Sequence, residues 1–416
     1  MTSPSILTIV GKAQLNTMRF NKPFTKQPAL PASSLTAGHR VLSSADLHRY
    51  QVPEEGRGEV AELEAEFAAW QGAKYCLAVA SGGQALQLAL RAAGVKTGDA
   101  VLTNAFTLAP VPGAIRAAGG SPVLVEITED LVIDLSDLEV KSKASGAKVL
   151  LLSHMRGHLV DMDALRELAG DLSLTIIEDC AHTMGATWNG EKSGNFGIAG
   201  CFSTQSYKHL NSGEGGLLTT DDPDLMAQAI ILSGSYMNYD RHGAAPDPSY
   251  FDTAKYDCPN MSARMDALRA AILRPQLKEL DANVERWIQL CTKTEHELSG
   301  SVHIQIPKAP TSAQRVGSSV QFRIPEFTKA QCLEFLKVTY ARGVELKWFG
   351  RDEPAGFASL HKHWRYIEAQ DLPNTDQFLS TLFDMRLPLT FDEDDCQLIG
   401  EIIIEVAASL IAGDRS

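Results

Sequence analysis

Three short segments of the chain combine residue types that support catalysis. Ser81-Gly82-Gly83-Gln84 directly precedes a helical pattern, where small residues let backbone amides approach a phosphate. Glu178-Asp179-Cys180-Ala181-His182 ends an apolar stretch, and a carboxylate there can bind a metal, act as a base or pair with a protonated ring nitrogen. Lys208 follows another apolar stretch, and a desolvated lysine can form a Schiff base. Each segment alone also has an ordinary interpretation, as a loop into a helix, a loop histidine or a solvated lysine.

Taken together, the three segments point to one cofactor. A phosphate-binding turn, an aspartate and a later lysine are the groups that pyridoxal 5′-phosphate (PLP) needs. The aspartate keeps the pyridine nitrogen protonated, so that the ring can act as an electron sink, and the lysine binds the aldehyde carbon. We therefore predict a PLP site with Asp179 and Lys208 as its catalytic residues.

These segments need a framework that brings them to one place. Short, nearly continuous apolar runs alternate with helical patterns, which predicts an α/β fold with a mainly parallel sheet covered on both faces. In such sheets, sites form at the carboxyl ends of strands. The predicted strands are Ala100–Thr103, Pro122–Ile127, Val149–Ser153, Leu174–Glu178, Gly200–Ser203 and Leu217–Thr220.

The periodicity also predicts how the chain is divided. A long helix is predicted over Met265–Glu297, kinked near Pro275. It connects the α/β region to a further set of predicted strands and helices after Gly300. We predict three parts: an irregular N-terminal arm (1–50), a large cofactor-binding domain with its connecting helix (51–298) and a small C-terminal α+β domain (299–416).

Composition excludes several classes of partner. The 416 residues carry a net charge of −13, which opposes non-specific binding to nucleic acid or to an anionic membrane. The seven cysteines are scattered, without a C-x-x-C pair, which fits a reducing compartment better than a disulfide framework or a zinc site. No apolar run approaches the ~20 residues of a spanning helix, and the start lacks a signal-peptide pattern. We therefore predict a cytoplasmic protein without nucleic-acid or membrane partners.

The motifs resemble those of the DegT/DnrJ/StrS family of aminotransferases, best known for sugar aminotransferases. The resemblance implies fold type I, with a three-layer, aspartate-aminotransferase-like large domain. It also implies PLP as cofactor and a homodimer whose active sites are shared between two chains. The matching segments are Ala80–Leu86, Thr103–Thr107, His154–Met162, Ile177–Gly185, Gly200–Gly216 and Arg264–Leu277.

The family's residue roles carry over to the matching positions. By this resemblance, Lys208 is the Schiff-base lysine that also carries the proton, and Asp179 is the partner of the pyridine nitrogen. His182 stands near the cofactor's 3-oxygen. Phe106 resembles the aromatic ring that stacks on the pyridine, with core packing as its alternative. The remaining cofactor-binding positions implied are Gly82, Gly83, Ser203 and, toward a neighbouring subunit's phosphate, Ser262.

Several segments depart from the family pattern. Gly83 stands where the family usually has Thr, Arg156 where it has Tyr, and Ser262 where it has Asn. An amino-acid substrate would need a carboxylate-binding group, and guanidinium binds carboxylate with two hydrogen bonds. The predicted substrate contacts are Arg156, Tyr236, Arg323 and Trp348, with Arg386 as a further guanidinium. No metal site is predicted, because His154 and His158 straddle Gly157 rather than sharing a helix face.

The predicted function is a PLP-dependent aminotransferase. It would move an amino group from an amino acid donor to a keto or aldehydo acceptor, either sugar-like or a small biosynthetic intermediate. Lys208 favours transamination, because family members that have lost this lysine to His are dehydratases. Two alternatives stay open: a PLP-dependent lyase, cyclase or dehydratase acting on an amino-acid-like substrate, and a PLP-binding regulatory protein without catalysis.

Overall fold

The computed structural model describes residues 18–51 and 57–413. Residues 1–17 of the predicted N-terminal arm lie outside this part. The α-helices of the described residues are α1 (Ala32–Ser44), α2 (Glu59–Gln71), α3 (Gly82–Ala92), α4 (Pro110–Ala118), α5 (Leu135–Ser145), α6 (Met162–Leu172), α7 (Pro223–Ser233), α8 (Phe251–Asp257), α9 (Ala267–Leu277), α10 (Leu280–Leu298), α11 (Lys329–Ala341), α12 (Pro373–Leu379) and α13 (Glu393–Gly413). The strands are β1 (Tyr75–Val79), β2 (Ala100–Asn104), β3 (Ser121–Val125), β4 (Val149–Ser153), β5 (Thr175–Asp179), β6 (Thr187–Trp188), β7 (Glu191–Lys192), β8 (Ala199–Ser203), β9 (Gly216–Thr220), β10 (Ala313–Gln314), β11 (Ser319–Arg323), β12 (Lys347–Trp348) and β13 (Leu382–Arg386).

The large sheet confirms the predicted architecture. In the described residues its seven strands follow the order β1-β9-β8-β5-β4-β2-β3. Strands β8, β5, β4, β2 and β3 run parallel, and β9 runs antiparallel to both of its neighbours. Strands β4 and β8 are buried along their whole length, as expected for strands with helices on both faces.

Each strand of this sheet contributes to two cores, because successive side chains point to opposite faces. In β1, Cys76 and Ala78 pack into the core beneath α2, α6 and α9. The intervening Leu77 and the following Val79 pack against α3, α4 and α7 on the other face. The result is three layers, with the sheet between two sets of helices.

A second, antiparallel sheet follows α10 in the chain. Its strand order is β11-β13-β12, and α11 and α13 contribute to the core that it shares with α10. Phe322, Phe335 and Phe383 form the centre of this core, with the rings of Phe335 and Phe383 4.9 Å apart. This region corresponds to the predicted small α+β domain, whose boundary stays a prediction.

The N-terminal segment contains a helix that the sequence pattern did not predict. Helix α1 packs on α9 through Ser34, Gly38 and Val41, so the described part of the predicted arm is not irregular throughout. A Cβ atom on Gly38 would lie 3.2 Å from Ile272 Cγ2, so the two helices approach closely. The buried face of α1 consists mainly of small residues, and therefore it carries little apolar periodicity.

The connecting helix differs from its prediction, and α13 corrects the expectation that no apolar run approaches the length of a membrane-spanning helix. The helix predicted over 265–297 is two helices, α9 and α10, which are separated at Lys278 and Glu279 rather than kinked at Pro275. Helix α13 is long and apolar enough to span a membrane by length and composition, with a mean hydropathy of 1.7. Residues such as Ile399 and Ile403 are buried in the core of the small sheet, and so α13 is a core helix here.

A buried ion pair fixes the segment around Arg49 to the large sheet. Arg49 Nη2 lies 2.5 Å from Glu64 Oε1, and Arg49 Nη1 donates to the Ala78 carbonyl at 3.0 Å. Glu64 Oε2 lies 3.3 Å from His242 Nδ1. Burial alone raises the pKa of Glu64, but Arg49 and His242 outweigh it and lower that pKa to about 2. One carboxylate therefore joins three separate segments of the chain.

Replacing this carboxylate should destabilise the protein strongly. In Glu64→Gln, Arg49 stays buried without a counter-charge, and we expect the free energy of unfolding in urea to fall by roughly 3–5 kcal/mol at pH 7. The matched control is Glu334→Gln, which removes an exposed partner of Lys337 and should cost less than ~1 kcal/mol. Because the Glu64 pKa is lowered from 4.5, its contribution is present above that pH and is lost as the pH falls toward 2. Equal losses in the two variants would contradict the assignment.

Candidate active site

Residues predicted to act in catalysis or cofactor binding lie at the edge of the large sheet where its parallel strands end. Asp179 is the last residue of β5, and Ser203 is the last residue of β8. Beyond this edge lies a cavity of about 450 Å³, within the size range of small-molecule sites. The residues that line it are Ser81, Gly83, Leu108, Pro110, Arg156, His182, Ser203, Gln205, Tyr207, Lys208, Glu214, Ser318, Ser319, Lys347, Phe357 and Arg386.

The turn from Ser81 to Gln84 begins α3 at the cavity. Ser81 Oγ accepts a hydrogen bond from the Gln84 amide at 3.1 Å and so caps the helix. A Cβ atom on Gly82 would lie 2.8 Å from Ser203 Cβ, so this close contact with β8 requires glycine. A Cβ atom on Gly83 would meet only Ser81 Oγ, at 3.9 Å, and Gly83 therefore borders open space. Such a helix N-terminus is suited to a phosphate.

Asp179 is held by two hydrogen bonds at the end of β5. Its Oδ1 accepts from the Ala181 amide at 3.1 Å, and its Oδ2 accepts from Ser153 Oγ at 3.2 Å. Thr107 Oγ1 donates to Ser153 Oγ at 2.7 Å, which fixes that hydroxyl. Burial raises the pKa of Asp179, although these hydrogen bonds and Lys208 oppose the change. A cation placed against this carboxylate, such as a protonated ring nitrogen, would stabilise its charged form.

Lys208 lies in the loop after β8 with its amine in the cavity. Its Nζ is 3.0 Å from His182 Nε2. Burial lowers the pKa of Lys208 to about 7, Arg156 adds to this effect, and Asp179 opposes it. Burial, together with Lys208, lowers the pKa of His182 well below its ordinary value, so His182 is neutral and can accept a hydrogen bond from the lysine. An amine with a pKa near 7 can act as a nucleophile and carry protons at neutral pH.

Three more cationic side chains line the same cavity. Arg156 reaches it from the loop after β4, Lys347 from β12 and Arg386 from the end of β13. The Arg386 guanidinium carbon lies 3.7 Å from the centre of the Tyr207 ring. The cavity is therefore built from both sheets, and its lining on the side of the small sheet is strongly basic.

Comparison with known proteins identifies the family of the chain. The sequence matches the DegT/DnrJ/EryC1/StrS aminotransferase family over residues 47–403. The chain belongs to this aminotransferase family. It is 28% identical over 367 residues to the spore coat polysaccharide biosynthesis protein SpsC of Bacillus subtilis, covering 85% of this chain and 90% of that protein.

Two further relatives agree with this membership. The chain is 33% identical over 288 residues to a dTDP-3-amino-3,4,6-trideoxy-α-D-glucose transaminase of Streptomyces venezuelae, covering 67% of this chain and 72% of that protein. The crystal structure of S. venezuelae DesV, in complex with a ketimine intermediate, superposes with a TM-score of 0.75 at 28% identity. That alignment covers 91% of this chain and 99% of the other. The predicted family and the predicted fold type I architecture are confirmed.

The structure brings together most residues that the family resemblance singled out. Gly83, His182, Ser203 and Lys208 line one cavity, and Gly82 packs directly behind it on Ser203. Arg156 and Arg386, two of the predicted guanidinium groups, line it as well.

Other predicted substrate and cofactor residues lie elsewhere. Trp348 is buried and donates its Nε1–H to the Ser380 carbonyl at 2.8 Å, away from the cavity. Arg323 contacts Gln305 at 3.0 Å and lies near Glu129, also outside the cavity. We therefore withdraw both as substrate contacts. Phe106 does not line the cavity either, since it packs edge-to-face on Phe349 at 5.1 Å, which favours its core-packing alternative.

Two predicted residues lie on the surface of this chain. Tyr236 is 62% exposed, and neither it nor the exposed Ser262 lines the cavity. Both have positive φ angles, 52° and 50°, which are uncommon for residues with a side chain. Within one chain, neither residue can therefore contact a molecule in the cavity.

The structure also adds residues that the sequence did not single out. Lys347 lines the cavity beside Arg156, although Trp348 had been chosen from the same two-residue strand. Neighbouring residues of a strand point to opposite faces, so only one of the two could do so. Tyr207 and Ser153 were missed as well. Their signal was their position directly before Lys208 and at the end of β4.

A buried cluster of polar side chains surrounds Glu178, next to Asp179. His154 Nε2 lies 2.9 Å from Glu178 Oε2, and Cys180 lies close to both. Glu178 also accepts hydrogen bonds from the amides of Gly194, Phe196 and Gly197. These contacts occupy the carboxylate, which therefore serves to hold the 194–197 loop against β5.

The lowered pKa of Lys208 can be tested in the cofactor-free protein. We expect the rate of Lys208 acetylation by acetic anhydride, followed by peptide mass spectrometry, to rise with pH with a midpoint near 7. Below the midpoint the rate should fall about tenfold per pH unit. In Arg156→Gln the midpoint should move to higher pH, because a positive neighbour that lowers this pKa is gone. Arg323→Gln serves as the control and should leave the midpoint unchanged. A wild-type midpoint near that of a free lysine would contradict this picture.

Proposed function

We propose that this family member is a PLP-dependent aminotransferase that moves an amino group from an amino acid donor to a keto or aldehydo acceptor. The observation that carries the proposal is the position of Lys208. Its amine shares one cavity with the turn at the start of α3, and it lies 3.0 Å from His182. Its pKa is lowered by burial and by Arg156, while Asp179 opposes that change.

Each chemical group of PLP has a suitable partner among the residues at or beside the cavity. The amides at the start of α3 and the Ser203 hydroxyl would hold the phosphate, in the open space that Gly83 borders. Asp179 would accept a hydrogen bond from the pyridine nitrogen, since burial otherwise disfavours its charge. Lys208 would bind the aldehyde carbon, and His182 would adjoin the 3-oxygen. These roles rest on the donor types and on the family resemblance.

The residues of this chain would divide the chemistry among them. When bound, PLP supplies an electron sink that stabilises negative charge at the substrate carbon. Lys208 would then move the proton to and from that carbon, because a pKa near 7 allows both directions at neutral pH. Asp179 would keep the ring nitrogen protonated, and Ser153 would keep Asp179 in place.

We infer that the acceptor is a carbonyl compound, either sugar-like or a small biosynthetic intermediate. The transaminase of S. venezuelae and SpsC support a sugar-like acceptor by their names. The replacement of the family's usual Tyr by Arg156 in the cavity wall supports a substrate that differs from theirs.

We further propose a homodimer that works in the cytoplasm. Tyr236 and Met237 are 62% and 60% exposed on the same loop, and such apolar surface suits a protein interface. By the family resemblance, Ser262 would lie near a neighbouring subunit's phosphate, and its exposure supports such a position. All seven cysteines are free, and six of them are buried, as is usual in a reducing compartment.

Replacing the lysine tests the cofactor and the reaction together. We expect wild-type protein with PLP to show the visible absorbance band of the lysine-bound cofactor and to lose it when a suitable amino donor is added. Lys208→Ala should lack this band and lose at least ~100-fold in amino transfer, because the nucleophile and proton carrier are gone. The matched control, Lys337→Ala, changes a lysine that is 76% exposed and should behave as wild type.

Two outcomes would overturn the proposal. A wild-type protein that never shows the band would refute PLP binding at Lys208. Release of ammonia or water from the substrate, without conversion of the cofactor to its amino form, would favour the lyase or dehydratase alternative instead.

The proposed dimer predicts a mass of two chains in sedimentation. Tyr236→Glu places a charge on the exposed loop and should shift the protein toward monomers, with activity that falls on dilution. Tyr340→Glu changes an equally exposed tyrosine, 69% exposed on α11, and should leave the dimer intact. A stable wild-type monomer with full activity would contradict the proposal.

A further inference from the structure

A chain of hydrogen bonds runs from Thr107 through Ser153 to Asp179. Ser153 Oγ lies 3.2 Å from Asp179 Oδ2, and Thr107 Oγ1 lies 2.7 Å from Ser153 Oγ. The three residues are buried, with exposed fractions of 2%, 6% and 8% in that order. Neither Thr107 nor Ser153 lines the cavity, so both act on Asp179 from within the protein.

The direction of these hydrogen bonds follows from the chemistry of the three groups. An ionised carboxylate can only accept, so the single hydroxyl hydrogen of Ser153 points to Asp179. Ser153 then has no hydrogen left for Thr107, and Thr107 must be the donor in the other contact. A hydroxyl that accepts one hydrogen bond donates the next one more strongly. Thr107 therefore orients the Ser153 hydroxyl and strengthens its hydrogen bond to the carboxylate.

The backbone around Ser153 is held by Asn104, the last residue of β2. Asn104 Oδ1 accepts from the Ser153 amide at 2.9 Å, and its Nδ2 donates to the Ser153 carbonyl at 3.1 Å. The same Nδ2 donates to the Phe106 carbonyl at 2.8 Å, which holds the segment that carries Thr107. Because β2 pairs with β4, and β4 pairs with β5, these contacts join the ends of three adjacent strands. The sheet itself therefore keeps the two hydroxyls at hydrogen-bond distance.

The other groups that face Asp179 differ from Ser153 in how they respond to pH. Burial raises the pKa of Asp179, and several groups oppose that change. In decreasing order of effect, these groups are the Ala181 amide, Lys208, Ser153 and His154. The thiols of Cys180 and Cys201 also face the carboxylate, but burial raises their pKa and keeps them neutral. Lys208 has a pKa of about 7 and loses its charge as the pH rises, whereas the Ser153 hydroxyl donates at any pH.

We propose that Thr107 and Ser153 are positioning residues that hold Asp179 ionised for the ring nitrogen of the cofactor. A hydrogen bond to the charged form of an acid favours that form, and Ser153 donates directly to a carboxylate oxygen. An ionised Asp179 is the group that keeps a pyridine nitrogen protonated. The inference rests on the proposed function and deepens it, because it assigns two residues that act on the reaction through Asp179 alone.

The primary test is made in the PLP-free protein. Carbon-13 nuclear magnetic resonance follows the labelled carboxyl groups of the aspartates, and the signal of Asp179 is the one that Asp179→Asn removes. Thr107→Val keeps the shape of the side chain and removes its hydroxyl. We expect it to shift the titration midpoint of Asp179 upward by roughly half to one pH unit, because the carboxylate loses hydrogen-bond support. Thr107→Ser keeps the hydroxyl and should restore the wild-type midpoint.

Thr103→Val is the matched control for this substitution. Thr103 is fully buried on β2, and its Oγ1 has no hydrogen-bond partner among the described residues. The same change of side chain therefore removes no contact that supports Asp179. We expect the Asp179 midpoint of this variant to equal that of wild type.

Combined variants test the order of the chain. Ser153→Ala removes the donor itself and should shift the Asp179 midpoint at least as far as Thr107→Val does. The double variant should show no shift beyond that of Ser153→Ala, because Thr107 acts only through Ser153. Ser153→Ala also keeps the test valid if Thr107→Val fails to fold, which circular dichroism reports.

The PLP-loaded protein provides a second measurement. Nitrogen-15 resonance of ring-labelled PLP reports whether the ring nitrogen carries a proton. In Thr107→Val we expect the protonated share to fall at neutral pH, because an Asp179 with weaker hydrogen bonds takes up the proton more readily. The kcat of amino transfer should fall roughly fivefold or more with the KM of the donor little changed, since the cavity lining is untouched.

Three results would overturn the proposal. The first is an Asp179 midpoint that is equal in wild type, Thr107→Val and Ser153→Ala. The second is an equal shift in Thr107→Val and Thr103→Val, and the third is an additive shift in the double variant. Failure of the PLP proposal is recognised separately, because it removes the visible band, whereas the carboxyl titration is measured without PLP.

Discussion

The site depends on keeping the amine of Lys208 and the turn at the start of α3 at one cavity, close to the buried carboxylate of Asp179. Removal from water makes each charge more costly and each interaction between charges stronger. Lys208 therefore has a pKa near 7, since burial and Arg156 outweigh the attraction of Asp179. The same burial raises the pKa of Asp179 until a cation is supplied. Neither group would have these properties on an open surface, because burial is the largest cause of both pKa shifts.

The register of the parallel sheet decides which residues lie beside the buried Asp179 carboxylate. Residue Asp179 pairs with Ser153 on β4 and with Cys201 on β8, so its neighbours on both sides are small. Ser153 stabilises the carboxylate by a hydrogen bond, whereas Cys201 only packs. Burial raises the pKa of the Cys201 and Cys180 thiols well above their ordinary value, which makes both poor nucleophiles. Two cysteines beside the site thus take no part in its chemistry.

Sequence patterns correctly predicted which residues lie at the ends of the strands. Five of the six predicted strands of the large sheet agree with the structure to within a residue at both ends, and this agreement places Asp179 and Ser203 correctly. Strand β1 was not predicted, although it leads directly into the turn at Ser81. Its five residues match the length of the strands that were predicted, so length does not explain this omission.

Sequence patterns could not predict which way a side chain points or which distant segments pack against each other. Trp348 was preferred to Lys347 because an aromatic residue suggests a binding site, yet strand alternation turns Trp348 into the core. Arg323 lies on the same face of β11 as Ser319, which lines the cavity, but at the other end of the strand, where it contacts Gln305. Helix α1 was missed because its buried face is made of small residues that only the partner helix explains. In each case the deciding contact comes from a distant part of the chain.

The two clearest departures from the family pattern lie at the cavity itself. Gly83, where the family usually has Thr, leaves open space beside the turn that begins α3. Arg156, where the family usually has Tyr, adds a cation whose backbone is strained and whose donors are not all used. A buried cation without a full set of acceptors lowers stability, as does a left-handed backbone at a residue with a side chain. Both costs fall on one residue that lines the cavity, Arg156, which is paired there with the buried carboxylate of Asp384.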